Sequence, residues 1–405
     1  MQEVTQSLPY QLTADQQGAL DDMVKNAKAH TRIHALVQGD VGCGKTIIAI
    51  LAMVMMAENN YQSVLMAPTQ VLAQQHYEEL VRLTSPFGFH TVFLGASQKA
   101  KDRKDALKQI ASGEADFVVG TNSVIGSNVI YHNLGLTITD EEHKFGVAQR
   151  AALVKKASEG VHSITMSATP IPRTLAQVIH GASLQLYSIR TMPNGRKPVI
   201  TGMVNTMEKL YAFIIREAKM GHQTYVVCPM IEDKDDDIKS VETLTKQYQA
   251  DLGPHGIRIA TLTGRNKKQE TDAILNRFKN GEIDVLISTT VVEVGVNVPT
   301  ATCMVISNAE RFGLASLHQL RGRVGRGDLQ SFCVLDCHSD NDAAKARMNA
   351  MISTNDGFKI AEEDLKLRGS GDILGTKQSG SNEYVLQAML HPEVYEKTVA
   401  LAKEF

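Results

Sequence analysis

"IHALVQGDVGCGKTIIAILAMVMM", residues 33–56, decides the architecture of this chain. An apolar run, "IHALVQ", leads into a glycine-rich octet, "GDVGCGKT" at 39–46, which opens onto an unbroken helical run. Strand, glycine loop and helix in that order form a phosphate cradle, because the backbone amides at the helix N-terminus face an anion. In this reading Gly39, Gly42 and Gly44 shape the loop around ATP, Lys45 reaches the β and γ phosphates, and the Thr46 hydroxyl ligates Mg2+.

Outward from this stretch, short runs alternate with amphipathic segments: "SVLMAP", "DFVVGT", "LTITDEE" and "SITMSAT", then "TYVVCP", "IRIATLTG", "DVLISTT", "TCMVIS" and "SFCVLD". Such a series predicts an α/β fold with parallel sheets covered by helices. It breaks at "RTMPNGRKP", residues 190–198, where two prolines flank Asn-Gly in a turn-rich connection. The expected organisation is one α/β domain over 1–192, a second over 193–338, and a helical region over 339–405. The two similar units read as a distant duplication.

A second carboxylate element is expected at a later strand end, and "LTITDEEH" at 136–143 supplies it. Asp140 would hold Mg2+ through its water shell. Glu141 would orient and deprotonate the water that attacks the γ-phosphate. An acidic helix cap is the plain alternative for the same residues. His143 has no neighbouring ligands in sequence and reads as a link between nucleotide state and the rest of its domain.

At 405 residues the chain is long enough for two or three cores. Its 43% hydrophobic and 21% charged residues are those of a globular protein, without a membrane-length apolar run or a secretory leader. Five scattered cysteines do not make a disulfide framework and suit a reducing cytoplasm. In "SFCVLDCH" the pair Cys333 and Cys337 falls with Leu335 on one face of an alternating strand, so both are expected in the core rather than on zinc. The net charge of −2 decides nothing about nucleic acid, since local fields outweigh the sum. The acidic run "IEDKDDDIK" at 231–239 is expected to be a solvated loop.

The ordered set "LTADQQ" (12–17), "GDVGCGKT", "APTQVLAQQH" (67–76), "VGTNSVI" (119–125), "DEEH", "MSATPIPRT" (166–174), "STTVVEVGVNVP" (288–299) and "QLRGRVGR" (319–326) resembles the motor of superfamily 2 helicases and translocases. The resemblance implies two tandem RecA-like domains. It further implies that Gln16 reads the adenine and that Gln319, Arg323 and Arg326 face the phosphates from the second domain. An arginine arriving from another domain stabilises the transition state only on closure, which would couple hydrolysis to motion. DNA phosphates would be gripped at Pro68 and Thr69, Gly120 and Thr121, and Ser167 and Thr169 of the first domain. In the second domain the grip would fall to Thr263, Gly264 and Thr289. Main-chain amides and hydroxyls hold DNA without reading its sequence.

"DEEHKFGVAQR" and "MSATPIPRTLA" are of a type shared by transcription-repair coupling factors and the RecG family of bacterial DNA helicases. "TNDGFKIAEEDLKLRGSGDILGTKQSG" (354–380) is similar to the translocation motif both carry, and its Asn-Asp-Gly-Phe opening, with the Gln-Arg pair of "FGVAQR", favours RecG. Cys43, Glu142 and Asn297 depart from the usual serine, glutamine and aspartate, and none removes a phosphate-binding or proton-transfer group.

The family carries an N-terminal wedge domain, whereas this chain opens at "MQEVTQSLPYQLT", almost on the adenine-reading motif, so a motor portion of a longer protein is expected. The resemblance implies a monomeric ATP-dependent translocase on duplex arms of branched DNA. Scarce aromatic residues, 5% with no tryptophan, point away from base-stacking platforms. The other readings are a coupling-factor-like motor, an RNA helicase, and a nucleotide-gated DNA-binding module with little hydrolysis.

Helical periodicity over 341–369 is interrupted at "STNDG", where Asn-Asp-Gly is a helix stop, so a helical hairpin is expected there. By resemblance Arg347 at its base, Arg368, and Gln378 in the glycine-rich stretch beyond transmit the stroke to DNA.

Overall fold

The structure is a computed structural model. It describes the chain apart from residues 96–97, 142–144, 146–148, 150–151, 154, 157–159, 172, 174–175, 178–180, 182, 194–196, 205, 230–233, 290–297, 326, 369–393, 395–396, 399–400 and 402–405, and the side chains of 234–240, 268 and 368. Contacts divide it into two compact units with the boundary after Pro193, each with its own sheet.

In the first unit the strands are β1 (His34–Gly39), β2 (Gln62–Met66), β3 (Thr91–Leu94), β4 (Phe117–Gly120), β5 (Leu134–Asp140), β6 (His162–Ser167) and β7 (Gln185–Ile189). The helices are α1 (Gln2–Gln6), α2 (Ala14–Lys28), α3 (Lys45–Ala57), α4 (Gln70–Thr84) and α5 (Ala100–Ser112). The sheet runs β3-β4-β2-β5-β6-β1-β7 with parallel pairing throughout. Every residue of β2, β4 and β5 is buried, as a parallel sheet covered on both faces requires.

The apolar run after the glycine loop has the same cause. All residues from Ile47 to Met56 are buried, because α3 lies on β1, β2 and β5 with α2 and α4 beside it. Buried Gln62 locks the start of β2: its Nε2–H groups donate to the carbonyls of Ile110 and Ala115, and its Oε1 accepts from the amides of His132 and Asn133.

The second unit holds β8 (Ile200–Met203), β9 (Gln223–Val227), β10 (Ile259–Leu262), β11 (Val285–Ser288), β12 (Ala301–Ile306) and β13 (Phe332–Leu335). Its sheet is ordered β10-β11-β9-β12-β13-β8, again parallel. Helices α6 (Met207–Lys219), α7 (Lys234–Leu252), α8 (Lys268–Lys279), α9 (Leu314–Arg321), α10 (Asp342–Ser353) and α11 (Gly357–Arg368) complete it. Read from one edge, both sheets follow one connection pattern, so β8 stands where β1 stands in the first unit. The lock repeats as well: Gln223 at the start of β9 donates to the carbonyls of Phe278 and Ile283 and accepts from the Thr300 hydroxyl. Shared order and a shared buried glutamine are what a duplicated unit would retain.

Two expectations change and a third is met with an addition. From Lys234 the acidic run is the first turn of α7 rather than a loop. Cys333 is buried in β13 as expected, but Cys337 lies beyond the strand, half-buried, with its thiol donating to the Ser339 carbonyl at 3.6 Å. The α10 helix does stop before "TNDG", yet the stop signal also starts the next helix: the Asp356 carboxylate accepts the Phe358 amide at 2.9 Å and Gly357 is the first residue of α11.

Candidate nucleotide and DNA site

Gly39 closes β1, and Gly42 and Gly44 take the left-handed conformation at φ 84° and 83°. A side chain on Gly39 would overlap the Ile189 carbonyl of β7 and the Cys43 thiol, and one on Gly44 would overlap the Gln16 amide. Gly44 caps α3, Lys45 and half-buried Thr46 open it, and the Lys45 ammonium donates to the carbonyls of Gly39 and Asp40 at 2.7 and 3.0 Å.

Gln16, expected to read adenine, is buried and engaged at both ends of its amide. Its Oε1 accepts the Thr13 amide at 2.9 Å in the capping box of α2, and its Nε2–H donates to the Cys43 carbonyl at 2.9 Å. It therefore fastens α2 to the glycine loop.

Asp140 is the last residue of β5, and Glu141 follows in the left-handed region at φ 51°, so the chain turns sharply between the two carboxylates. Asp140 is buried. Its Oδ1 accepts the Glu141 amide at 3.0 Å and its Oδ2 lies 2.7 Å from Nε2 of His76, a residue of α4. Burial opposes ionisation, but the His76 hydrogen bond and the fields of His76 and Lys45 outweigh it and hold the carboxyl below the ordinary carboxylate range. His76 was missed in the sequence, although it ends the quoted "APTQVLAQQH". A lone histidine on a helix gives no sign that it folds back onto a strand end 64 residues away.

Parallel pairing brings all the strand ends to one edge, where ligands of open α/β sheets bind. Along it lie, in order, the glycine loop after β1, Ser167 and Thr169 at the end of β6, Asp140 and Glu141 at the end of β5, Pro68 and Thr69 after β2, and Gly120 and Thr121 at the end of β4. Ser167 Oγ–H donates to the Thr169 carbonyl at 2.9 Å. Thr69 caps α4, accepting the Leu72 amide. The Ala67 amide donates to the Gly120 carbonyl at 2.9 Å, tying the β2 and β4 turns together.

In the second unit Thr263 bonds Asn266 Oδ1 through its amide and hydroxyl at 2.8 and 3.2 Å, Gly264 follows in an open turn, and buried Thr289 follows β11. Gln319 and Arg323 are half-buried, on α9 and just after it. Arg326, His143, Glu142, Asn297 and Gln378 lie outside the described residues, as does the side chain of Arg368 at the end of α11.

Arg347 is midway along α10 rather than at the hairpin's base, and its guanidinium donates to the Phe312 carbonyl ahead of α9 at 3.2 Å. Arg321, passed over within "QLRGRVGR", is buried and donates to the carbonyls of Met351 and Thr354 at 2.7 and 2.8 Å. It joins α9 to the turn of the hairpin. Arg321→Ala leaves those carbonyls without their charged donor and is expected to cost about 2–4 kcal/mol. Urea unfolding followed by circular dichroism checks this, and an unchanged midpoint contradicts it.

Two parallel-sheet units, the first with a glycine loop and a paired Asp-Glu on the same sheet edge, define the helicase class. The DEAD/DEAH box helicase model matches residues 13–178 and the helicase conserved C-terminal domain matches 205–328. The chain belongs to the RecG family: the C-terminal part of domain 3 of ATP-dependent DNA helicase RecG matches residues 354–387. ATP-dependent DNA helicase RecG of Staphylococcus aureus is 44% identical over 385 residues, 94% of this chain and 55% of that protein. The Staphylococcus epidermidis protein is 42% identical over 94% and 56%. The chain thus spans about half the length of these relatives.

A solved structure of RecG bound to a three-way DNA junction superposes with a TM-score of 0.80 at 35% identity, covering 96% of this chain and 51% of that one. Mss116p bound to single-stranded RNA, at 16% identity and a TM-score of 0.64 over 86% and 74%, shares the fold. Among the described residues no helix is long and apolar enough to cross a membrane.

Proposed function

We propose that this chain is the motor of an ATP-dependent DNA translocase that acts on the duplex arms of branched DNA as a monomer in the cytoplasm. The observation that carries the reading is the single sheet edge on which the glycine loop, the Asp140-Glu141 pair and the Thr69 and Gly120 turns follow one another. The RecG structure on a three-way junction supports branched DNA as the substrate.

The residues suit ATP with Mg2+. Gly42 and Gly44 turn the loop through left-handed conformations, the Lys45 ammonium is bonded to its carbonyls, and a buried carboxyl biased towards its charged form lies at the same edge. When bound, the metal would neutralise charge on the β and γ oxygens. Lys45 would exchange its loop carbonyls for phosphate oxygens, Thr46 and, through water, Asp140 would hold the metal, and Glu141 would take the proton of the attacking water. Gln319, Arg323 and Arg326 of the second unit stabilise the transferring phosphoryl group. Pro68, Thr69, Gly120, Thr121, Ser167, Thr169, Thr263, Gly264 and Thr289 hold the DNA backbone, and Arg347, Arg368 and Gln378 pass the stroke to it. Gln16 reads the adenine.

Phosphate release without nucleic acid, with linear duplex, with forked duplex and with RNA tests the reading. Hydrolysis should rise with DNA, with little preference for forks over linear duplex. Equal stimulation by RNA would favour an RNA helicase. Nucleotide-dependent DNA binding without phosphate release would leave only a gated binding module.

A further inference from the structure

His76 has no part in the assignments above, yet it is buried and makes the only side-chain contact to Asp140 among the described hydrogen bonds. A carboxylate can only accept, so the imidazole Nε2–H is the donor at 2.7 Å. With Oδ2 held by His76 and Oδ1 by the Glu141 amide, the carboxylate plane is fixed from both sides. His76 rides on α4, the helix capped by Thr69. Seven residues of helix, about 10 Å, separate the cap from the imidazole. One rigid element therefore ends in a DNA-gripping turn and touches the metal carboxylate along its length.

We propose that His76 is a positioning residue that sets the orientation of Asp140 for Mg2+ and relays the state of the DNA grip at Thr69 to it. This rests on the assignment of Asp140 to the metal and of Thr69 to DNA. If DNA shifts α4 along its axis, the imidazole moves with it, and the carboxylate must follow or lose its donor. A plain packing role for the His-Asp pair would stabilise the unit but leave metal affinity and DNA response untouched.

The test uses His76→Phe, which keeps a ring of similar size without a donor, and His76→Gln, whose amide Nε2–H can restore the bond. A fluorescent ADP analogue is titrated with and without Mg2+, and phosphate release is measured with and without duplex DNA. For His76→Phe the Mg2+ concentration needed to tighten ADP binding should rise about tenfold or more, the usual cost of losing a group that orients a metal ligand. ADP affinity without Mg2+ should stay unchanged, and DNA should no longer stimulate hydrolysis. His76→Gln should recover both properties.

Wild-type Mg2+ dependence and DNA stimulation in His76→Phe would overturn the proposal. So would a loss in both variants that follows their melting temperature. If His76→Phe does not fold, His76→Gln decides: a folded glutamine variant without Mg2+ linkage overturns the proposal, and one that retains it upholds it. Failure of the unsubstituted chain to bind nucleotide would instead overturn the functional reading beneath it.

Discussion

Glu141→Gln is expected to bind ATP as the unsubstituted chain does and to hydrolyse it slower by about a thousandfold, within the usual range for losing a general base. The amide matches the carboxylate in size and keeps the turn after β5, so the loop that holds the phosphates is not disturbed. Only the group that accepts a proton from water is removed. Lys45→Ala makes the contrast, because it deletes a cation that touches phosphate in the ground state and in the transition state alike, so nucleotide binding and turnover should fall together. Equilibrium binding of a fluorescent ATP analogue, set beside steady-state phosphate release, separates the two. Equal loss of binding in both variants would remove Glu141 from the role of base.

Arg323→Ala and Arg326→Ala should each lower turnover by about a thousandfold or more while nucleotide affinity stays close to that of the unsubstituted chain, as for an arginine that acts on transition-state charge. Their effect should differ from that of Arg321→Ala. Arg321 lies in the same short motif but is bonded to the carboxyl end of α10, so its loss should appear in unfolding before it appears in kinetics. Comparison of kcat and Kd across the three arginines is the measurement. Raised Kd with normal kcat in Arg323→Ala or Arg326→Ala would reject the assignment.

The ten apolar runs legible in the sequence are interior strands together with β10, whereas β3, β7 and β8 went unread, and all three lie at sheet edges. An edge strand has one neighbour, and two of these are also thinly covered: β7 is buried only at Ile189 and β8 at none of its four positions, whereas β3 is buried at three of four and is simply short. The acidic start of α7 misled for a related reason, since charge density signals solvent and says nothing of whether the backbone coils. Motif residues on strand ends were legible because loop geometry is local. The His76-Asp140, Gln16-Cys43 and Arg321-Met351 contacts were not, because each joins positions far apart in the chain through a single side chain, and no spacing rule encodes that. The expectations placed on Arg326, Asn297 and Gln378 lie outside the described residues.

The order of the first sheet also sets a gear ratio. From the glycine loop after β1 to the turn after β4 there are four strand spacings, by way of β6, β5 and β2. At about 4.8 Å each, the proposed nucleotide and DNA sites would lie about 19 Å apart on one sheet. One nucleotide of rise along a DNA strand is about 3.4 Å. On those assignments, a tilt of the sheet of about ten degrees, pivoting at the loop, would sweep its far end through about one nucleotide of DNA. A shorter sheet would need a wider swing for the same advance, and a longer one would overshoot the repeat of its own track.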